Sequence, residues 1–381
     1  MPRQASVAGK PDRFEIAERK LRHDRTIHQM SMGCAGCAER TICGGLSIEA
    51  AVWSCLSLCC DNPDACDRVC RNNPEYASRI HEVGGLKLDL AQAPLLPAPT
   101  LPLVVPEIFH GSKRKRHFAP ALASISLYGM FDRKEGLPKY RARAELSANY
   151  KISTDTPLVL TGIQRDRPLE RWWELGKARR RAIIQSAVDC GVVLATTPNY
   201  SLFVDRPRWD DLHAMKRIAI AHGEFLEAGL PAALHVNGRT DRDFERWAEF
   251  IGHHPEVTHI SFEFTTGTGR PTRRRQHAAW LCELAKTVGR PLHLIVRGGS
   301  NLLPDLCAAF AGVTFLETTL FLKTMKRYHA VKGETVGWWT YSTRAKDLLD
   351  DLFETNWEIS RDVIERAMRG DRPPTPAIAV V

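Results

Sequence analysis

Long apolar runs are missing from this 381-residue sequence, and none approaches the roughly 20 residues that a membrane-spanning helix needs. The N-terminal segment MPRQASVAGKPDRFEIAERK also lacks the apolar core of a signal peptide. We therefore expect a cytoplasmic protein that does not enter a membrane. Structural disulfide bonds are rare in that compartment.

Glycine-rich nucleotide motifs are missing as well. Neither GxGxxG nor GxxxxGK[ST] occurs, which argues against dinucleotide and nucleoside-triphosphate sites of those types. No internal repeat is visible. A hydrophobic content of 44% and a charged content of 25% are typical of a globular protein. The chain is long enough for one large domain and an appendage.

Cysteine, in contrast, is abundant and clustered. Eight of the eleven cysteines fall within one short segment. In a reducing compartment such a density of thiolates indicates metal ligation rather than disulfide bonding. The predicted metal ligands are Cys34, Cys37, Cys43, Cys55, Cys59, Cys60, Cys66 and Cys70.

The spacing of these cysteines bears on the metal. Cys34 and Cys37 form a CxxC pair, and two further pairs stand four residues apart, which places each on one helical face. Structural zinc sites usually take two CxxC-type pairs, whereas iron–sulfur clusters accept more varied spacing. We therefore expect an iron–sulfur cluster, for example 4Fe–4S, with zinc as the alternative. The Cx3Cx2C spacing of radical S-adenosylmethionine enzymes is absent.

The net charge of +9 comes with three tight basic runs, at residues 113–116, 179–181 and 273–275. Such runs favour a polyanionic partner such as a nucleic acid. Solvated helix faces and loops are the other interpretation of the same runs.

Composition divides the chain into six segments. Repeated prolines between residues 86 and 106 forbid a helix and predict an extended connector. The predicted segments are a basic N-terminal arm (1–27), a cysteine-rich metal-binding module (28–85), the connector (86–106), a barrel-like domain (107–335), a C-terminal helical segment (336–370) and a flexible tail (371–381) that hangs free or docks a partner.

Beyond the connector, short apolar runs alternate with amphipathic helical stretches, which predicts an α/β fold with a parallel sheet. Eight runs favour a (β/α)8 TIM-like barrel. An open doubly wound sheet is the alternative, since the first two runs lack clear crossover helices. The runs are 101–105, 121–129, 157–163, 192–197, 231–237, 258–264, 291–296 and 313–319.

Charged residues stand late in three of these runs, at Glu263, Arg297 and Glu317. Ligands of such folds bind beyond the carboxyl ends of the strands. The three side chains could neutralise one another there as a structural ion-pair network. They could instead form a site in which Glu263 or Glu317 is a general acid or base and Arg297 holds an anion.

Further polar residues follow neighbouring runs. His235 is a third catalytic candidate, and Asn237, on the same strand face, is a candidate for substrate binding. Asn199 and Tyr200 follow the fourth run and are substrate-binding candidates too. Gly298, Gly299 and Ser300 precede a helix and could cradle a phosphate, as could residues 267–270.

The fourth run ends in Thr197, Pro198, Asn199, Tyr200, Ser201 and Leu202, with Pro207 and a long helix beyond. This segment, and the strand–helix pattern up to about residue 330, resembles the uncharacterised bacterial and phage domain-of-unknown-function family 4417. That family has an acidic residue and Phe where this chain has Asn199 and Tyr200. The resemblance implies a barrel region and no particular activity. A looser architectural likeness is to tRNA-guanine transglycosylase-like barrels, which use barrel carboxylates, one as nucleophile.

Three functions remain open at this point. The first is a metal-containing enzyme, a transferase or lyase, that acts on a nucleic acid or another nucleotide-like, phosphate-bearing anion. The second is a non-catalytic nucleic-acid-binding protein of a phage or mobile element. The third is an iron–sulfur redox or radical enzyme that acts on a small molecule.

Overall fold

The computed structural model describes residues 29–30, 47–48, 76–202, 208–265, 271–340 and 349–371. The strands are β1 (Gln29–Met30), β2 (Ser47–Ile48), β3 (Val104–Pro106), β4 (Ala123–Ser126), β5 (Leu158–Thr161), β6 (Val192–Thr196), β7 (Ala232–His235), β8 (His259–Glu263), β9 (His293–Arg297), β10 (Gly312–Glu317), β11 (Tyr328–Val331) and β12 (Gly337–Thr340). The helices are α1 (Tyr76–Val83), α2 (Arg143–Tyr150), α3 (Asp166–Glu174), α4 (Gly176–Asp189), α5 (Arg208–Glu227), α6 (Asp241–His253), α7 (Pro271–Val288), α8 (Leu303–Ala309), α9 (Thr319–Met325) and α10 (Leu349–Arg369).

Strands β3 to β10 form one parallel eight-stranded sheet in the order β3-β10-β9-β8-β7-β6-β5-β4. Its two end strands meet, because Glu107 and Ser124 form a parallel bridge and the N–H of Ile108 donates to the carbonyl of Ser124 at 2.8 Å. The sheet therefore curves into a (β/α)8 barrel with only a short seam between β3 and β4. This confirms the barrel prediction.

All eight predicted runs overlap a strand of the barrel. The first run is followed by no helix among the described residues, as predicted, whereas α2 follows the second run. Two boundaries differ from the segments drawn from composition. Strand β3 is made by the last three residues of the proline-rich connector, so the barrel begins before residue 107. The β11–β12 hairpin spans the expected boundary between residues 335 and 336.

Apolar side chains divide between two sides of the barrel wall. A small cluster fills the interior and includes Val105, Val159, Leu194, Ile295 and Leu316. A much larger cluster packs the outer face of the strands against the helices. Because both faces of a barrel wall are buried, strands such as β5 (LVLT) carry apolar residues on both faces instead of alternating.

The chain between β5 and β6 forms two helices, α3 and α4. Gly176 adopts a left-handed φ of +75°, which a continuous right-handed helix cannot contain, and this residue separates α3 from α4. Arg180 of α4 then reaches Glu224 of α5 through two hydrogen bonds of 2.7 Å. This buried pair joins the helices that follow β5 and β6.

Helix α1 and the connector are attached to the outer layer of the barrel. Arg79 of α1 forms an ion pair with Asp210 of α5 at 2.8 Å. Farther along, Lys216 of α5 binds Asp89 of the connector at 2.8 Å and donates to the carbonyl of Lys87. The N–H of Ala93 then donates to Glu256 at 2.9 Å, before the chain reaches β3.

No helix among the described residues is both long enough and apolar enough to cross a membrane.

Candidate active site at the barrel mouth

Polar side chains replace the apolar filling at the carboxyl end of the barrel. Strand register identifies them, because each lies an even number of residues along its strand from a member of the interior cluster or is paired with an inward-facing residue of the next strand. This end is where ligands of (β/α)8 barrels bind. The inward-facing polar residues are Glu107, Ser126, Thr161, Thr196, His235, Ser261, Glu263 and Arg297.

Glu107 and Arg297 approach each other in this mouth. The Oε2 atom of Glu107 lies 3.9 Å from Nη2 of Arg297, and Glu107 is only 2% exposed. Thr161 donates to the other carboxylate oxygen, Oε1, at 3.2 Å. Oε2 of Glu107 and Nε of Arg297 are buried and have no hydrogen-bond partner among the described residues. Both atoms therefore have unused hydrogen-bonding capacity.

The environment of Glu107 favours its protonated form. Burial raises the pKa of this carboxyl, the Arg297 guanidinium and the Thr161 hydroxyl oppose the rise, and the nearby Glu263 carboxylate adds to it. A buried carboxyl that holds its proton more tightly than usual can serve as a general acid near neutral pH.

Glu263 is the second carboxylate of the mouth. It lies directly opposite Arg297 in the register of β8 and β9 and accepts a hydrogen bond from the Thr265 hydroxyl. The structure thus brings Glu263 and Arg297 together, as their positions late in successive strands predict.

His235 also faces the interior. Its Nδ1 lies 3.3 Å from the Ser261 hydroxyl, and burial together with the nearby Arg239 lowers its pKa to about 3. The imidazole is therefore neutral at physiological pH. It can accept or donate a hydrogen bond, but it does not carry the positive charge that would let it act as a cationic acid.

Glu317 does not join this group. Leu316 belongs to the interior cluster, so the next residue faces the outer side of β10. There its Oε1 accepts from the N–H of Leu320 at 2.7 Å at the start of α9, and burial raises its pKa to about 7. The expected neutralisation of Arg297 by Glu317 is wrong, because the barrel wall separates the two side chains.

The residues after β6 and β7 are mostly structural. Asn199 accepts from the N–H of Gln164 at 2.8 Å, and Asn237 donates to the carbonyl of Tyr200 at 2.7 Å. Tyr200 is fully buried in the outer core, with its ring 4.0 Å from the guanidinium of Arg217. The tyrosine therefore lies among the helices, away from the interior of the barrel.

Two left-handed glycines follow Arg297. Gly298 has a φ of +72° and Gly299 a φ of +70°. A Cβ on Gly298 would lie 2.5 Å from Cγ2 of Thr265, and one on Gly299 would lie 2.9 Å from the ring of Phe264. The left-handed backbone conformation and the close packing on the end of β8 explain why both positions are glycine. A phosphate-binding role is not needed to explain them. Ser300 begins a short 3-10 turn, and residues 267–270 lie outside the described residues.

Glu107 was missed by the sequence interpretation. It follows β3 directly and lies two residues beyond Val105, so it continues the inward-facing side of that strand. The signal was present as an acidic residue at a strand end, but the proline-rich connector concealed where the strand stops.

The basic runs contribute one arginine each to packing. Arg114 is buried, with its guanidinium 5.1 Å from the ring of Phe353, and Arg180 binds Glu224. Arg273 is buried as well. In the first run Arg116 pairs with Asp351 at 2.6 Å. Part of the basic character is thus used within the fold, whereas Lys113 and Arg181 are exposed.

The eight clustered cysteines lie outside the described residues, so the structure says nothing of their arrangement. Elsewhere, within the described ranges, no group of three His, Cys, Asp or Glu side chains could hold a metal ion. The chain matches no protein-family model and no curated protein sequence.

Proposed function

We propose that the barrel is an acid–base enzyme whose active site is the carboxyl-end mouth and whose substrate is a nucleotide-like anion. The observation that carries this proposal is the pair of Glu107 and Arg297, with 3.9 Å between Oε2 and Nη2. Each side chain also has one buried atom without a hydrogen-bond partner among the described residues. In a purely structural ion pair we would expect every polar atom of both groups to have a hydrogen bond. Each buried polar atom without one lowers the free energy of unfolding by about 1–3 kcal/mol.

Each mouth residue has a distinct role in the proposal. Arg297 binds the anionic group of the substrate through Nε and its amino groups. Glu107 transfers a proton at Oε2, and Glu263 supplies a second carboxylate in a different environment. Two carboxyl groups at one site can divide the acid and base roles between them. His235 adds a neutral hydrogen-bonding group.

The reaction class follows the same reasoning. A transferase or lyase that breaks a bond next to a nucleotide base or phosphate needs proton transfer and anion binding, and both are available here. The likeness to tRNA-guanine transglycosylase-like barrels, in which barrel carboxylates act on nucleic acid, points in the same direction. The resemblance to family 4417 does not bear on the reaction class, because that family has no assigned activity.

We also propose that the cysteine-rich segment holds a metal centre, as an iron–sulfur cluster or, alternatively, as zinc. Eight thiols in one short segment form a suitable donor set, and a cluster would supply electron transfer, whereas zinc would crosslink the segment. Helix α1, shortly after Cys70, is paired with α5 through Arg79 and Asp210. Helix α1, which follows the cysteine-rich segment in the chain, is thus attached near the end of the barrel where α5 begins.

The mouth site is tested with nucleoside 5′-monophosphates and short single-stranded oligonucleotides as ligands and substrates. Arg297→Met should weaken binding about 10- to 100-fold, since it removes a charge-assisted hydrogen bond. Glu107→Gln and Glu263→Gln should leave affinity nearly unchanged and lower turnover by about 10²–10⁴-fold. Glu283→Gln, on the exposed surface of α7, is the matched control.

Unaltered turnover in both mouth variants would contradict the enzymatic proposal. If oligonucleotides then bound with a steep salt dependence, the non-catalytic nucleic-acid-binding function would replace it.

A further inference from the structure

A cavity of about 1210 Å³ lies against the outer face of β10. Phe315 and Glu317 of β10 face it, whereas Leu316 between them faces the barrel interior. Its other walls are the loop after β9, the β11–β12 hairpin and the C-terminal half of α10. The cavity arises because the hairpin is inserted between α9 and α10, so hairpin residues cover this part of β10.

One side of the cavity carries an incompletely paired cation. The Nε and Nη2 atoms of Arg366 are buried and have no hydrogen-bond acceptor in the described part of the chain. Asp362 is at ion-pair distance, 3.5 Å from Nη2, but this carboxylate also pairs with Lys332 at 2.8 Å. Arg366 and Lys332 thus share the Asp362 carboxylate, and Nε of Arg366 keeps unused hydrogen-bonding capacity.

Part of the lining is apolar. It is formed by Phe315, the hairpin residues Val336 and Trp338, and Val363 and Ile364 of α10. Apolar walls with a few polar or charged groups are the usual composition of a small-molecule site, in which burial provides affinity and the polar groups fix orientation.

The remaining charges of the cavity limit the ligand. Glu334 and Asp371 also line it, and Asp371 lies 3.3 Å from Nε of Arg369. A dianionic phosphate would be repelled by these carboxylates. Glu317 is a weaker source of repulsion, because burial raises its pKa to about 7 and the carboxyl is partly protonated near neutral pH.

We propose that this cavity binds a monoanionic carboxylate with an apolar chain or ring. The carboxylate pairs with Arg366, and the apolar body packs against Phe315, Val336 and Trp338. This site is independent of the barrel mouth and does not depend on the activity proposed there.

The test is isothermal titration calorimetry of the full chain with octanoate, and with octan-1-ol as its neutral counterpart. Octanoate should bind saturably and at least about tenfold more tightly than octan-1-ol, since a charge-assisted hydrogen bond contributes about 1.5–3 kcal/mol. Arg366→Gln should weaken octanoate binding by about 10- to 100-fold and leave octan-1-ol binding unchanged. Arg361→Gln, an exposed position on the same helix outside the cavity, should change neither.

A second variant addresses the apolar volume. Ala367→Phe places a ring in the cavity from α10 and should abolish binding of both probes. The proposal is overturned if octanoate does not bind saturably, if octan-1-ol binds as tightly, or if Arg361→Gln has the same effect as Arg366→Gln. Unchanged binding in a folded Ala367→Phe protein would overturn it as well.

Discussion

At the scale of single residues, two buried glutamates on opposite sides of the barrel wall have different roles. Glu107 faces the interior, beside Arg297, with one oxygen that has no partner among the described residues. Glu317 faces outward and accepts backbone hydrogen bonds at the start of α9. The first is the acid–base group of the proposed function, whereas the second binds the backbone at the start of a helix.

The pKa of Glu317 links it to stability. Burial raises this pKa from the ordinary value of 4.5 to about 7, so between these values the folded protein holds a proton that the unfolded chain has released. The contribution of Glu317 to the free energy of unfolding is thus present below pH 4.5 and is lost as the pH rises towards 7. The loss is at most about 3 kcal/mol, because each pKa unit corresponds to about 1.4 kcal/mol.

We predict that Glu317→Gln removes this pH dependence, because glutamine keeps an oxygen for the N–H of Leu320 and has no proton to release. Urea denaturation at pH 5 and pH 8 measures the effect. The variant should be more stable than the wild type at pH 8, by up to about 3 kcal/mol, with little difference at pH 5. Glu334→Gln, an exposed cavity residue, is the control, and equal curves for wild type and Glu317→Gln at pH 8 would refute the assignment.

At the scale of elements, the connector is held to the barrel by a few specific contacts. Lys216 is 2% exposed and binds both Asp89 and the carbonyl of Lys87, while its charge lowers the pKa of Asp89. Few regular hydrogen bonds otherwise fix this segment, since residues 88–102 form no helix or strand. Local opening of the connector should therefore depend strongly on Lys216.

We predict that Lys216→Met increases tryptic cleavage after Lys87 by about tenfold or more, as expected for the loss of one or two hydrogen bonds to a charged group. Methionine retains much of the buried aliphatic volume, so the barrel itself should stay folded. Limited proteolysis with mass spectrometry gives the rate. Lys177→Met removes a surface pair with Glu227 and should leave cleavage after Lys87 unchanged. Equal rates in both variants would show that Lys216 does not hold the connector.

At the scale of the whole molecule, our proposal gives the cysteine-rich segment and the barrel separate sources of stability. The barrel has its own interior and outer apolar clusters, built from residues 86–368. A metal centre in the cysteine-rich segment would stabilise that segment through its ligands. Loss of the metal should then leave most of the barrel intact.

We predict that protein purified without oxygen contains either iron with acid-labile sulfide or zinc. Cys34→Ser combined with Cys37→Ser should lower the metal content, while the far-ultraviolet circular dichroism of the barrel changes little. Cys282→Ser, a solitary cysteine of α7, should keep the full metal content. Brown, iron-containing protein would favour redox chemistry. Colourless, zinc-containing protein would favour a structural zinc site, and metal-free protein would contradict the proposal.

The sequence alone determined the elements of the barrel. All eight strands were predictable because short apolar runs, separated by amphipathic helices, leave a parallel sheet covered on both faces as the arrangement that buries them. The sequence also predicted that Glu263 and Arg297 are neighbours, since the carboxyl ends of successive parallel strands lie at the same end of the sheet. The density of cysteines is likewise a property of the sequence alone.

Only the tertiary structure decided which side of the wall each strand residue faces. Because both faces of the barrel wall are apolar, the two-residue periodicity of a strand such as β10 cannot distinguish the interior from the exterior. Glu317 was therefore placed on the wrong side, and Tyr200 was not recognised as a residue of the outer core. Glu107 became part of the site only when β3 and β4 met and closed the sheet, a contact between strands that sequence spacing does not encode.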